Sequence, residues 1–132
     1  MNLQISADMK VKDLKRQFSK QFPFLKMELF RLPHRSGEGS PLRLKIPERI
    51  LLGDLPGFKA GLLDYKASLP AGELETLLQT EFGLFVQIFR KSGDLWLETT
   101  RTDAWSLEKQ NEMGREASQG PVIRFNAHTL FL

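Results

Sequence analysis

The stretch Leu74–Leu97, LETLLQTEFGLFVQIFRKSGDLWL, predicts three successive elements of secondary structure. Its first nine residues have the apolar spacing of an amphipathic helix, and Gly83 suits a left-handed helix end. Apolar residues then alternate over positions 84–90, which predicts a strand. The KSGD tetrapeptide at 91–94 predicts a tight turn into a second strand over 95–99. The predicted order is helix, strand, turn and strand.

An earlier copy of this pattern lies about 60 residues upstream. At a shift of 60 the paired apolar residues are Leu3–Leu63, Leu14–Leu74, Phe18–Leu78 and Phe22–Phe82. The first copy then carries one extra residue, and at a shift of 59 the pairs are Leu25–Leu84, Met27–Val86, Leu29–Ile88 and Phe30–Phe89. Because the matches run through a strand, a helix and another strand in one order, the sequence predicts an internal repeat. We name its halves the first unit (residues 1–61) and the second unit (residues 62–132).

Each unit is predicted to be β-α-β-β with a short helical appendage. The last strand of the first unit is predicted at Leu42–Ile46, where apolar and basic residues alternate. The appendage of the second unit is predicted as a helix that starts at Thr102 or Asp103 and ends near Met113, followed by a loop over 115–120. Strands joined through a helix favour parallel pairing and hairpins favour antiparallel pairing. The sequence therefore predicts an α+β fold, a single compact domain over 1–132 with a mixed sheet and helices on one face.

Length and composition exclude several classes of protein. A chain of 132 residues with ten Phe has the size and apolar content of one ordered domain. The absence of cysteine excludes disulfides, thiolate zinc sites and a cysteine nucleophile. The first residues lack the pattern of a signal peptide, and no stretch approaches the roughly 18 apolar residues of a membrane span. A soluble, cytoplasmic protein that does not bind membranes is the expectation.

Catalytic, metal and cofactor motifs are missing from the sequence. His34 and His128 lie in different segments without carboxylates at metal-ligand spacing, and His34 is expected to be a solvated loop residue. The Gly37-Glu38-Gly39 stretch lacks a complete phosphate-binding pattern and joins two predicted strands, so a flexible loop is the better interpretation. The carboxylates Asp94, Glu98 and Asp103 are spaced irregularly. The sequence predicts a non-enzymatic protein with no catalytic residue, metal or cofactor.

The two units differ in charge and in the outward face of their strands. Residues 1–66 hold 13 Lys and Arg against 7 Asp and Glu, a net charge of +6, whereas residues 67–132 hold 6 against 9, a net charge of −3. At matching outward positions the first unit is mostly basic and the second is aromatic. The aromatic residues are Phe85, Phe89 and Trp96.

An uncovered aromatic face is costly, and the sequence leaves two alternatives for what covers it. One is the C-terminal tail, through Val122, Ile123, Phe125, Leu130 and Phe131. The other is a partner, which makes the chain a protein-interaction or self-association module whose partner is another protein or a second copy.

Nucleic-acid binding is the alternative function. The first unit carries basic residues suited to contact phosphate, and the aromatic face of the second unit is suited to stack on bases. No RRM-like or KH-like signature accompanies them. The basic candidates are Lys12, Lys15, Arg16, Lys20, Lys26, Arg43 and Lys45.

The segments MKVKDLKRQFSKQF (9–22) and LKMELFR (25–31) resemble a group of small uncharacterised bacterial proteins. Proteins of that group carry a helix of the type M-x-V-x-x-L-x-x-x-F-x-x-x-F-G, then a strand, then a second similar unit. Residues 69–89 resemble their second unit, and Glu81-Phe82-Gly83 matches its E-F-G element. Pro23 stands where the group has glycine. The resemblance implies two helix–strand units, and no activity can be carried over from it.

Overall fold

The computed structural model describes residues 1–34, 38–39 and 41–120. Over these residues the chain has three α-helices and two antiparallel sheets, of two and three strands. The predicted α+β class is therefore confirmed. The predicted covering of the aromatic face by the tail, from Val122 to Phe131, lies outside the described residues.

The first half of the chain forms three elements: β1 (Asn2–Ile5), α1 (Val11–Gln21) and β2 (Leu25–Phe30). At the start of α1 the Asp13 carboxylate accepts the backbone N–H of Lys10 at 2.9 Å. The helix ends before Pro23, whose ring and missing N–H do not allow the helix to continue.

The second half forms five elements: β3 (Gly61–Asp64), α2 (Ala71–Phe82), β4 (Phe85–Ser92), β5 (Leu95–Glu98) and α3 (Leu107–Gln119). As predicted, α2 ends at Gly83 in the left-handed region, with φ of 68°. The turn between β4 and β5 uses Gly93, with φ of 61°.

The last helix differs from its prediction at both ends. It begins after Ser106, whose hydroxyl accepts the backbone N–H of Lys109 at 3.1 Å, and it runs on to Gln119. Polar contacts hold it on the sheet, and within the predicted loop the Ser118 hydroxyl accepts the backbone N–H of Gly93 at 3.2 Å. Gln110 accepts a hydrogen bond from the Arg90 guanidinium at 2.7 Å. Asn111 accepts the backbone N–H of Phe24 at 2.8 Å.

The predicted mixed sheet is wrong, because no strand pairs with another strand of its own β-α-β segment. Instead β1 pairs with β3 and β2 pairs with β4, both antiparallel, and β5 adds to β4 as a hairpin. The prediction assumed that strands joined through a helix lie side by side. The registers centre on matched positions: Leu3 lies opposite Leu63, and Glu28 lies opposite Gln87.

Backbone hydrogen bonds recur at the same offsets in the two halves. In each half, the start of the helix and the residues just before it form backbone hydrogen bonds with a later segment. That segment is residues 48–53 in the first half and residues 103–108 in the second. The matched pairs are Val11 N to Ile50 O (2.9 Å) with Ala71 N to Trp105 O (3.0 Å), Lys12 N to Glu48 O (3.1 Å) with Gly72 N to Asp103 O (2.8 Å), and Leu52 N to Met9 O (2.8 Å) with Leu107 N to Leu69 O (2.9 Å). Within each matched pair, the residues at or before the helix start differ by 60 positions between the two halves, and the residues of the later segment differ by 55.

The tandem β-α-β-β arrangement is not reproduced in full, since the first unit lacks its last strand. Residues Leu42–Leu44 form a 3-10 helix, and only Lys45 bridges to Phe30 of β2. Pro41 precedes this helix and Pro47 follows the bridge, so ladder donors are missing on both sides. The short helical appendage predicted for the first unit is a 3-10 helix at Leu52–Asp54.

The core contains side chains from both sheets and all three helices. Leu14 and Leu74, the matched helix positions, are both completely buried. On the other side of the three-stranded sheet, Glu28, Phe30, Gln87 and Phe89 are buried as well. The sheet is therefore covered on both faces at β2 and β4, and the predicted outward face is open to solvent only towards β5, where Trp96 is 37% exposed.

Candidate functional site

An open groove of about 330 Å³ runs beside α1 and gathers four of the predicted basic residues around one tryptophan. Successive turns of the helix place the first three basic side chains on one face. Trp96 reaches the same groove from β5, at the far edge of the sheet. We call this the basic groove, lined by Lys12, Lys15, Arg16, Lys26, Glu48 and Trp96, with Ser19 and Pro23 completing the wall.

Lys26 joins the basic and aromatic parts of the groove. Its register on β2 places it opposite Phe89 of β4. Its ammonium lies 5.5 Å from the Phe89 ring centroid and 4.9 Å from that of Trp96, within the range of cation–π attraction. Burial lowers the pKa of Lys26, and the charges of Lys15 and Lys45 lower it further against the opposing charge of Glu28. The side chain thus lies over both rings; Phe89 is 6% exposed, whereas Trp96 keeps 37% of its surface exposed.

A buried carboxylate pairs with Lys15, one of the residues that line the groove. Glu28 is 2% exposed and forms ion pairs with Lys15 and Lys45, and Lys15 also contacts Glu48 at 3.1 Å. Burial acts to raise the pKa of Glu28, but the hydrogen bonds from the two lysines outweigh it and hold the pKa below its ordinary value. Lys15 and Lys45 are therefore committed within the protein. No ion pair of Lys12 or Arg16 occurs among the residues that the structure describes.

The remaining predicted contact residues lie elsewhere. Lys20 and Arg43 are exposed but do not line the basic groove. Phe89 is 6% exposed and packed under Lys26, so it offers little contact surface. Phe85 is half-buried and faces a cleft beside α2. The predicted aromatic face is thus divided, and only Trp96 shares a site with the predicted basic residues.

That cleft beside α2 has a volume of about 50 Å³ and is closed by the segment that follows β2. His34 was expected to be solvated, but its side chain is only 12% exposed. Its Nε2 lies 3.2 Å from the Val86 carbonyl oxygen and 3.7 Å from Glu75 Oε1. We call this the acidic cleft; it is lined by Pro33, His34, Gly72, Glu75, Thr76, Gln79, Phe85, Val86 and Asp103.

Glu75 is the buried acid of this cleft. Its Oε2 accepts the backbone N–H of Ile88 at 2.8 Å. Burial raises the pKa of Glu75 to about 7, with smaller contributions from the carboxylates Asp103 and Glu98; the Ile88 hydrogen bond and the charge of His34 act in the opposite direction. The group is therefore half-protonated near neutral pH.

Three features of these sites were not predicted: the burial of Glu28, the burial of Glu75 and the position of His34. Glu28 alternates with apolar residues as an outward strand residue does, and nothing local distinguishes it from a solvated one. A signal for Glu75 existed, because it occupies the position 60 residues after Lys15, next to the fully buried Leu74. The placement of His34 depends on contacts with residues 41 and 52 positions away, which no local pattern contains.

The chain matches no protein-family model, no curated protein and no solved structure. The resemblance of segments 9–31 and 69–89 to small bacterial proteins therefore stays a prediction. No helix within residues 1–34, 38–39 and 41–120 has the length and apolar character needed to cross a bilayer. Over the same residues, no three His, Cys, Asp or Glu side chains are grouped so that they would hold a metal ion.

Proposed function

We propose that this chain is a non-enzymatic protein-interaction module and that the basic groove is its binding surface. The observation that carries the proposal is the meeting of Lys12, Arg16 and the exposed Trp96 around one open groove. Tryptophan and arginine are the residues that most often anchor protein contacts. The aromatic part of the surface is smaller than the sequence predicted, and the basic part is more concentrated.

The acidic cleft supports a non-enzymatic assignment. Glu75 has the near-neutral pKa that suits an acid–base catalyst. However, its cleft of about 50 Å³ is far below the roughly 300 Å³ at which ligand pockets begin. His34 and Pro33 fill the approach to the carboxyl, so a substrate would have to displace the chain's own segment.

We also propose that the chain arose by duplication of a β-α-β unit. The matched registers at Leu3–Leu63 and Glu28–Gln87 and the recurrent hydrogen bonds at offsets of 60 and 55 support it. The units then diverged after their second strands, where one has a 3-10 helix and the other has the β4–β5 hairpin.

A second candidate function is binding of single-stranded nucleic acid in the same groove. The observation that favours it is Trp96, which is 37% exposed beside four cationic side chains. Stacking of a base on this ring, with phosphates on Lys12 and Arg16, is a workable arrangement. The commitment of Lys15 and Lys45 to Glu28 leaves fewer cations for phosphate than the sequence predicted.

Site-specific photo-cross-linking in the native cell tests the proposed function. A photoreactive residue at Ser19, in the wall of the groove, is compared with one at the exposed Lys59. The module function predicts adducts of defined protein mass from position 19, their loss in Arg16→Glu, and none of the same mass from position 59. Adducts of twice the chain's mass identify self-association. Nuclease-sensitive adducts replace the proposal with the second candidate, and identical adducts from both positions reject it.

A further inference from the structure

The basic groove and the acidic cleft occupy the same place in the two units. Both lie against the outer face of a unit's helix, beside the strand that follows that helix, and the backbone N–H of Lys12 or Gly72 bonds to a lining residue in each. At offsets of 60, 59 and 55 the lining residues correspond: Lys12 with Gly72, Lys15 with Glu75, Arg16 with Thr76, Ser19 with Gln79, Lys26 with Phe85, and Glu48 with Asp103.

In the second unit this place is filled by the chain itself. The segment after β2 puts His34 into the acidic cleft, with its imidazole 3.7 Å from the buried carboxyl of Glu75 and 3.2 Å from the Val86 carbonyl. What remains of the cavity is about 50 Å³.

In the first unit the site is open and basic. Lys15 stands where the second unit has Glu75, but its ammonium is paired with Glu28 and Glu48. Lys12 and Arg16 stand where the second unit has Gly72 and Thr76, and neither forms an ion pair among the residues that the structure describes. The groove keeps a volume of about 330 Å³. The segment after β4, which corresponds to the segment carrying His34, turns back as the β4–β5 hairpin and contributes only Trp96.

From this open, basic counterpart of the acidic cleft we infer that the basic groove binds an acidic peptide segment of another protein, with an aspartate or glutamate side chain between Lys12 and Arg16. The inference rests on the proposed function and names its partner class. In the acidic cleft, the chain's own His34 is the ionisable side chain that lies beside the buried carboxyl. By the same complementarity of charge, a peptide that carries a carboxylate suits the basic groove. Trp96 and Pro23 supply the apolar wall against which such a segment packs.

Charge favours a peptide over a nucleic acid. Glu48 lies in the groove wall and is 58% exposed, so a polymer with a phosphate at every nucleotide would meet a carboxylate as well as cations. A single carboxylate placed at Lys12 and Arg16 avoids Glu48. Charge-assisted hydrogen bonds from guanidinium to carboxylate are among the stronger polar contacts available to such a side chain.

The test uses the full chain and fluorescein-labelled peptides of about 12 residues, read by fluorescence anisotropy at low salt. The peptides are a Gly/Ser/Leu host with four Asp or Glu residues, the same host with four Lys, and the uncharged host; an oligonucleotide of about 12 thymidines is run in parallel. We expect saturable binding of the acidic peptide alone.

Arg16→Glu and Lys12→Glu should each weaken the binding of the acidic peptide about 10-fold or more, while Arg16→Lys retains most of it. Lys59→Glu and Lys66→Glu, at exposed positions outside the groove, are matched controls for total charge and should change the affinity less than about twofold.

The double variant Lys12→Glu/Arg16→Glu gives a sharper test, because it should lose the acidic peptide and gain the lysine peptide. Equal weakening by the Lys59→Glu control overturns the inference, since binding would then follow net charge alone. Preference for the oligonucleotide also overturns it and supports the nucleic-acid candidate. If no peptide binds but position 19 still gives groove-specific protein adducts, the module function stands and the acidic-peptide assignment fails.

Discussion

Glu28 shows how one buried carboxylate organises the first unit. It lies on the sheet face opposite the main core, and the ammonium groups of Lys15 and Lys45 converge on it from the helix and from the segment beside β2. A buried charge without partners would be strongly destabilising, so these lysines serve the fold before they serve any ligand. This is the physical reason that the predicted set of phosphate-binding residues is reduced.

Glu28→Gln should lower the free energy of unfolding by about 2 kcal/mol at pH 7, because it leaves Lys15 facing a neutral partner in a mostly buried position. Urea denaturation measures the change. Glu48→Gln is the matched control: it removes another partner of Lys15, but Glu48 is 58% exposed and its loss should cost less than about 0.5 kcal/mol.

The cost of Glu28→Gln should also depend on pH. The folded-state pKa of Glu28 lies below 4.5, so its stabilising contribution is present above pH 4.5 and is lost as the pH falls through the folded-state value. Wild type and variant should therefore converge in stability in acid. Equal costs for Glu28→Gln and Glu48→Gln would contradict the buried ion pairs.

Glu75 should give the opposite pH dependence. Its pKa is about 7 in the folded chain against 4.5 as the ordinary value, so between these pH values the folded state binds a proton that the unfolded state does not. Stability is then greatest below pH 4.5 and falls as the pH rises towards 7. Glu75→Gln removes this loss and keeps an acceptor for the Ile88 N–H. Relative to the variant, wild type should lose about 2 to 3 kcal/mol between pH 5 and pH 8 in urea titrations. A parallel pH profile for the two proteins would show that Glu75 titrates normally.

At the scale of elements, Gly83 and Gly93 form a matched pair that separates backbone strain from steric overlap. Both have positive φ, of 68° and 61°. A Cβ at Gly83 would overlap the carbonyl group of Gly57, whereas a Cβ at Gly93 meets nothing within 4 Å. Gly93→Ala should cost about 1 kcal/mol from φ alone. Gly83→Ala should cost about 3 kcal/mol or more. Thermal unfolding of the two variants measures both, and a similar shift in Tm would mean that the α2 end relaxes away from Gly57.

The elements that the sequence predicted well are those whose pattern is local. The apolar stripes of α1 and α2, the alternation of β2 and β4 and the Gly93 turn all follow from residues within a few positions of one another. Leu42–Ile46 has the same alternation as a strand, but its first three residues form a 3-10 helix and only Lys45 bridges to β2, because the flanking prolines withhold ladder donors.

What the sequence could not predict depends on partners far along the chain. The choice between one mixed sheet and two antiparallel sheets rests on whether β1 pairs with β2 or with β3, and both choices bury Leu3. The groove required Lys26 of β2 to lie beside Phe89 of β4, a contact across 63 positions. Some of the predicted basic residues and Trp96 therefore line one groove, but their meeting place follows only from the register of β2 on β4.

At the scale of the whole molecule, the strand pairing makes each half depend on the other. Among residues 1–34, 38–39 and 41–120, the strand pairs other than the β4–β5 hairpin join the two halves, β1 with β3 and β2 with β4. A fragment of residues 1–60 would leave both of its strands without a partner and would expose Leu14 and Phe18 to water.

We therefore expect the intact chain to unfold in one cooperative transition, with far-UV circular dichroism and tryptophan fluorescence giving the same midpoint. Trp96 and Trp105 both report on the second half, whereas far-UV circular dichroism sums the helices of both halves. Fragments 1–60 and 61–132 should each lack a cooperative transition alone and regain one when mixed at equal concentration, because the β1–β3 and β2–β4 ladders form only between them.

The fragment of residues 61–132 is the critical one, since it retains the hairpin, α2 and α3. If it folds alone with the midpoint of the intact chain, the inter-half ladders contribute little and the halves are independent. If it folds only with its complement, the interior is shared, and a substitution at Leu14 must destabilise the environment of Trp105 as much as one at Leu74.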